Sequence, residues 1–174
     1  FEYEAAHHFL NFYPIFSEVT IPSVITHTKE IDKKMLQRIG KQLDSKKLFL
    51  KDWVKSESDN MIDMTDDHSG DGGLKIIEKF VENRGKSFEG GLVFRTFMEL
   101  SQFENRYWIL DGEILDFNEK LPPMPNEIKR LLWKVKSNFF TLDLVRVRNT
   151  DQTIVLEIGD GQVSGLKRLN PTIF

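Results

Sequence analysis

Phe139-Phe140-Thr141-Leu142-Asp143-Leu144-Val145-Arg146-Val147, then Asn149-Thr150-Asp151, then Thr153-Ile154-Val155-Leu156-Glu157-Ile158 read as two antiparallel strands around a turn. Asp143 stands inside an apolar strand, and Glu157 stands at the end of its partner, with Asp160 three residues on. Burying a carboxylate is costly unless it is paired or bound to a cation. Adjacent antiparallel strands can set Asp143 beside Glu157, and a magnesium ion between them, its shell completed by nucleotide phosphates, relieves their repulsion. An exposed edge hairpin with both acids solvated satisfies the spacing equally well.

Working outward, the remaining pattern mixes helices with hairpins, which predicts an α+β fold over a doubly wound parallel sheet. Upstream, Arg106 to Leu110 and Glu113 to Phe117 read as strands around Asp111-Gly112, a strong hairpin turn, and a helix is predicted over about Asn126 to Val135. Leu92 to Met98 reads as a strand after the break at Gly90-Gly91. Ile31, Met35, Leu36, Ile39 and Leu43 make a helical stripe that Thr28 would cap. Lys47 to Lys51 is a compact strand, and Leu74 to Asn83 a second amphipathic helix. The polar segment Ser56 to Gly73 reads as a mobile loop over a site. Phe1 to Ser23, aromatic-rich with Pro14 and Pro22, reads as irregular. Its neighbours His7 and His8 would point to different faces of any regular element, which favours packing or surface roles over a shared metal.

Composition narrows the function classes. The 174 residues suit one domain or a two-lobed core, with 40% hydrophobic residues to fill it. A net charge of −3 gives no general attraction to nucleic acid or an anionic membrane, so a bound polyanion must meet local cations. With no cysteine, disulfides, thiolate zinc sites and cysteine nucleophiles are excluded. No apolar run approaches the roughly 20 residues of a membrane helix. A cytoplasmic protein is the expectation, and a start at Phe1 rather than Met suits an excised piece.

Those local cations are Lys51, at a strand end, Lys55 four residues later, Arg95 inside Leu92-Val93-Phe94, and Arg106, which with Glu104 borders an apolar strand. Lysine meets phosphate as a point charge, and arginine offers a fixed fork to phosphate or carboxylate. The alternative is an Arg95–Glu or Arg106–Asp pair inside a sheet. Two motifs fail. Leu110-Asp111-Gly112-Glu113 is similar to a box of nucleic-acid ligases, but Lys51-Asp52-Trp53-Val54 lacks their Lys-x-Asp-Gly nucleophile, and no Gly-Lys-Ser/Thr follows Gly70-Asp71-Gly72-Gly73.

In this order the pieces resemble the ATP-grasp superfamily, over roughly Lys47 to Leu166. Leu48-Phe49-Leu50-Lys51-Asp52-Trp53-Val54-Lys55-Ser56 is similar to its smaller-lobe strand and lysine, and Gly91 to Leu100 to the strand leading into its adenine hinge. Glu104-Asn105-Arg106-Tyr107 resembles its Glu-x-Arg segment, and Leu142-Asp143 with Leu156-Glu157-Ile158-Gly159-Asp160-Gly161-Gln162 its magnesium-binding strand pair. The two arginines and lysines resemble the clade named for two arginines and a lysine.

The resemblance implies two α+β lobes gripping ATP in a cleft, with an antiparallel C-terminal sheet. It divides the chain into residues 1–27, a leading segment or remnant of a preceding domain, 28–88, the smaller lobe, and 89–174, the larger lobe with hinge and metal site. It implies ligation of a carboxylate to an amine through an acyl-phosphate with release of ADP, the substrates being small molecules or peptides. Lys51, Lys55 and Glu104 would hold the nucleotide, with Met98, Glu99 and Leu100 as hinge. Arg95 and Arg106 would hold phosphate or acyl-phosphate, and Asp143 and Glu157 magnesium. Most members carry Asn two residues after the metal-binding Glu; here Gly159 stands there, so either Asp160 takes the third position or the ligand set is altered. A nucleotide-binding or interaction module without catalysis is the alternative, and a nucleotidyltransferase a weaker one.

Overall fold

Aromatic spacing rather than polarity decides the start of the chain. The computed structural model describes residues 2–56, 60–65, 70–116 and 121–166. It places two helices where an irregular segment was expected, α1 (Glu2–His7) and α2 (Phe9–Phe16). Phe9, Phe12 and Phe16 recur at helical spacing and are fully buried. Pro14 sits within α2, which ends two residues later. Tertiary burial has overridden the proline signal.

The chain divides into two compact units. One is Pro22–Met98; the other combines the residues before Pro22 with those from Glu99 on. These divisions differ from the sequence boundaries at residues 27 and 88, because the first residues pack with the C-terminal sheet and the strand after Gly91 pairs inside the first unit.

The unit Pro22–Met98 holds β1 (Ser23–Ile25), α3 (Lys33–Gln42), β2 (Lys47–Asp52), β3 (Met61–Asp63), α4 (Asp71–Arg84) and β4 (Leu92–Thr96). Its antiparallel sheet runs β1-β4-β2-β3. Asp32, not Thr28, caps α3, its Oδ1 accepting the Met35 N–H at 2.7 Å. Leu48 and Leu50 of β2, Ile62 of β3, and Leu92 and Phe94 of β4 form one core with Leu36, Ile39, Ile77 and Phe80 of the helices. Strand alternation therefore turns Phe49, Lys51, Val93 and Arg95 to the opposite face of the sheet.

The expected mobile loop over 56–73 is corrected in its described part. Buried Ile62 between exposed Met61 and Asp63 is a strand signal, and β3 pairs with β2 there. Gly70, at φ 74°, turns the chain into α4 three residues before the expected start. Residues 57–59 and 66–69 of that segment lie outside the described residues. Asp63 accepts from the Thr65 N–H at 2.9 Å and meets Lys47 Nζ at 3.2 Å. The hydrogen bonds from Thr65, assisted by Lys47, hold its carboxyl down at about 2 from an ordinary 3.8. Its contribution is thus complete above the ordinary value and disappears as pH falls through about 2. An NMR pH titration is expected to show Asp63 ionised at pH 3; a midpoint near 3.8 would refute this.

At the β1–β4 end, a Cβ on Gly91 would lie 2.0 Å from the Thr26 carbonyl oxygen, which also accepts from Trp53 Nε1 at 3.1 Å. That neighbour is backbone and cannot swing away. Gly91→Ala is expected to cost about 1–3 kcal/mol, the range for forcing atoms into packed structure. An unchanged urea midpoint would refute it.

In the second unit, β5 (Leu100–Leu110), β6 (Glu113–Leu115), α5 (Asn126–Lys129), β7 (Phe139–Val147) and β8 (Thr153–Asp160) follow in order. The antiparallel sheet runs β6-β5-β7-β8. The Asp111-Gly112 turn forms as expected, both residues at positive φ, 49° and 79°. Phe117, the expected end of that hairpin, lies outside the described residues. The helix expected to Val135 is shorter: α5 ends at Lys129 and a 3-10 turn covers Leu132–Lys134. Ile128 and Leu132 are buried there, while Trp133 is exposed.

The chain's start belongs to this sheet. Helix α1 packs on β8, Thr20 forms a parallel bridge to Val155, and His7 Nδ1 accepts the Asp160 N–H at 3.1 Å. One sheet face carries Tyr107, Ile109, Phe140, Leu142, Leu144 and Ile158, all buried. The other carries Arg106, Trp108, Thr141, Asp143 and Glu157. A bulge follows the Asp143–Glu157 pair, where the register steps from Glu157 to Val155 in β8. It shifts the alternation of β8, so that Ile154 and Glu157, three apart, share a face. Among the described residues no helix is long and apolar enough to cross a membrane.

Candidate functional site

Three strands bring Arg106, Asp143 and Glu157 into one row. Arg106 of β5 is the register partner of Asp143 in β7, which is in turn the partner of Glu157 in β8. Arg106 grips Asp143 with a two-pronged ion pair, Nε to Oδ1 at 2.8 Å and Nη2 to Oδ2 at 2.7 Å. Its remaining nitrogen, Nη1, donates to the Gly165 carbonyl at 2.7 Å. Asp143 is 4% exposed and Glu157 half-buried. Burial alone would lower the Arg106 pKa, but the Asp143 hydrogen bonds and charge, then Glu157 and Glu104, raise it above its ordinary value. The guanidinium is a fixed charge with three acids around it.

One row away, Gly159 is the register partner of Thr141. The hydroxyls of Thr141 and Ser164 meet at 2.9 Å, and a Cβ on Gly159 would lie 2.9 Å and 2.6 Å from them. A side chain at Gly159, the position that carries Asn in most members, would have to displace these two hydroxyls. Asp160 does not join the pair. It partners Phe140 on the opposite face, and its Oδ1 accepts the Gln162 N–H at 2.8 Å. Strand alternation, with β8 running to Asp160, is the reason.

In the unit Pro22–Met98, Lys51 and Arg95 share the sheet face turned away from α3 and α4. Lys51 partners Val93 and Arg95 partners Phe49, and the two cations are 3% and 4% exposed. Lys55 is exposed, in the turn after β2 that Asp52 holds. Met98 ends this unit and Glu99 opens the other. The Glu99 carbonyl accepts the Arg148 N–H at 2.8 Å, Leu100 pairs with Val147, and Glu104, exposed, partners Val145.

The donors Asp143 and Glu157 suit a hard dication by type, two carboxylates in register on one face. Both Asp143 oxygens are already held by Arg106, however, and no group of three His, Cys, Asp or Glu able to hold a metal occurs among the described residues.

Sequence reasoning missed the pair Asp52–Arg84. Asp52 is fully buried and accepts the N–H groups of Val54 and Lys55 at 2.8 and 2.6 Å and Arg84 Nε at 2.8 Å. An Asp with backbone donors two and three residues on is a local turn signal that could have found half of it. The Thr141–Ser164 contact was also missed.

By sequence, none of the curated proteins compared with the chain matches it. Among solved structures, it is similar to the macrocyclase MdnC of Microcystis aeruginosa bound with its precursor peptide MdnA, at TM-score 0.59 and 14% identity. That match covers 99% of this chain and 57% of the macrocyclase. A C-terminally truncated Cdc123 from Schizosaccharomyces pombe matches at 0.58 and 10% identity, with 95% and 91% covered. The D-alanine-D-alanine ligase of Coxiella burnetii matches at 0.57 and 11%, with 90% and 48% covered. The chain thus spans about half the length of the two enzymes and most of truncated Cdc123. At these identities the likeness shows the fold alone. The family model of the ATP-grasp domain, third family of the clade named for two arginines and a lysine, matches residues 30–174, and with its two antiparallel α+β units the chain belongs to that family.

Proposed function

We propose that this chain is the ATP-binding core of a cytoplasmic, ADP-forming carboxylate–amine ligase. The observation that carries this reading is the cross-strand row Arg106–Asp143–Glu157, a cation and two acids on one face of the sheet. In that unit Asp143 and Glu157 would hold magnesium, Arg106 the carboxylate or acyl-phosphate, and Glu104 a nucleotide group. Bound there, magnesium supplies neutralisation of phosphate charge during phosphoryl transfer. In the unit Pro22–Met98, Lys51, Lys55 and Arg95 are the proposed phosphate contacts. Met98, Glu99 and Leu100 are the proposed adenine segment. Asp160 is dropped from the metal set, since its side chain faces the other way. Small molecules or peptides remain the substrate classes, and a macrocyclase bound with a precursor peptide among the neighbours supports the second.

Titration calorimetry is expected to show heat of binding with magnesium-ATP, at millimolar affinity or tighter; no heat would sink the reading. ADP release on addition of pooled amino acids or peptides is the test of ligation.

A second reading is a nucleotide-binding module without catalysis. It is favoured by the hold of Arg106 on both Asp143 oxygens. Heat with magnesium-ATP but no ADP release with any acceptor would select it.

A further inference from the structure

The geometry points to Arg106 as the residue that controls when Asp143 can accept a cation; the inference rests on the magnesium-ATP reading above. The fork covers both Asp143 oxygens, at 2.8 and 2.7 Å, and Asp143 is 4% exposed. A dication approaching Asp143 therefore meets a guanidinium on the oxygens it needs, and the two positive groups repel. Arg106 is not loosely placed. Its third contact, to the Gly165 carbonyl, ties it to the segment after β8, which the Ser164–Thr141 contact pins to the same face. Among the described acids, Glu157 and Glu104 also hold its charge.

What can move the fork is an anion of matching shape. A carboxylate or phosphate offers two oxygens to a guanidinium, which a lysine at this position could not engage in the same way. Once Arg106 turns to such an anion, Asp143 is released to pair with Glu157 around a cation. Cation and anion then bind cooperatively, each raising the affinity of the other by one factor. Arg106 binds the anion in this scheme, and Asp143 is the group it uncovers. The consequence is order: the ligand-free chain binds the metal poorly, and the acidic ligand prepares the site.

The test is manganese binding to the full chain without nucleotide, read by the loss of the free-ion EPR signal. Arg106→Gln is expected to bind manganese about 10-fold more tightly than the unmodified chain, and adding Asp143→Asn to it is expected to abolish the gain. Sulfate, as the anion probe, is expected to tighten manganese binding in the unmodified chain and to have no such effect in Arg106→Gln. Equal manganese affinity in Arg106→Gln and the unmodified chain overturns the proposal. If Arg106→Gln fails to fold, Arg106→Lys decides. It keeps the charge and loses the fork, so its manganese affinity is expected to rise severalfold, and no rise overturns the proposal. Manganese-ATP binding by the unmodified chain is measured in parallel. If it is present while the variants bind manganese no better, the control by Arg106 falls and the nucleotide reading stands. If it is absent while the variants bind more tightly, the nucleotide reading falls and the control stands.

Discussion

Asp52→Ala is expected to lower the stability of the unit Pro22–Met98 by about 3–5 kcal/mol, the cost of removing one partner from a buried ion pair. Asp52 is fully buried at the end of β2, and the Arg84 side chain at the end of α4 is 10% exposed. The carboxylate divides its work. Oδ1 accepts the backbone N–H groups of Val54 and Lys55, closing the turn after β2, and Oδ2 neutralises Arg84. Alanine leaves two backbone donors without their acceptor and takes the carboxylate from a nearly buried guanidinium, which still donates to the Ser87 carbonyl at 2.7 Å. Asp52→Asn separates the two tasks, because its amide oxygen can still close the turn while its NH2 group faces another donor at Arg84. Asn is therefore expected to lose less than Ala, and Arg84→Met should recover part of the Asn loss. Urea unfolding measures this for Asp52→Ala and for the four chains of the Asp52→Asn/Arg84→Met double-mutant cycle. A loss under about 1 kcal/mol for Asp52→Ala would show that the pair does not hold the unit together.

How much of this was legible depends on the range of the signal. The β7–β8 strands, the Asp111-Gly112 hairpin and the stripe of α3 were readable because alternation, turn chemistry and helical spacing are local. The pairing of Asp143 with Glu157 was readable as an option, since two adjacent strands permit it, but the bulge at Leu156 that sets its surroundings was not. Asp160 was misplaced for a different reason. It lies three residues from Glu157, an odd number, so alternation alone puts it on the other face once β8 runs past Ile158. Taking the strand to end at Ile158 hid this. The N-terminal helices were illegible because burial of Phe9, Phe12 and Phe16 by distant elements outweighs Pro14. The Arg106–Asp143 pair spans 37 residues, and sequence could offer it only as an alternative to ligand binding.

That pair makes the two acids unequal as probes of the proposed site. Glu157→Gln is expected to cut magnesium-dependent ADP release by at least about 100-fold, since losing a metal ligand exceeds the roughly 10–100-fold cost of disturbing the groups behind one. It keeps the shape of a half-buried side chain and leaves both Asp143 contacts to Arg106 in place, so the melting temperature should hold. Asp143→Asn removes the same ligand charge but also breaks a two-pronged pair, Asp143 being 4% exposed. Beyond the loss of turnover, it should therefore destabilise its unit by about 3–5 kcal/mol, as an unpaired Arg106 does. A second substitution tells the two losses apart. In the Asp143→Asn chain, Arg106→Gln removes the orphaned charge and should restore much of the stability without restoring turnover. Full ADP release by Glu157→Gln would remove that acid from the site. Equal melting temperatures for Glu157→Gln and Asp143→Asn would instead mean that the Arg106 fork contributes little to the fold, and that Asp143 can leave it at small cost.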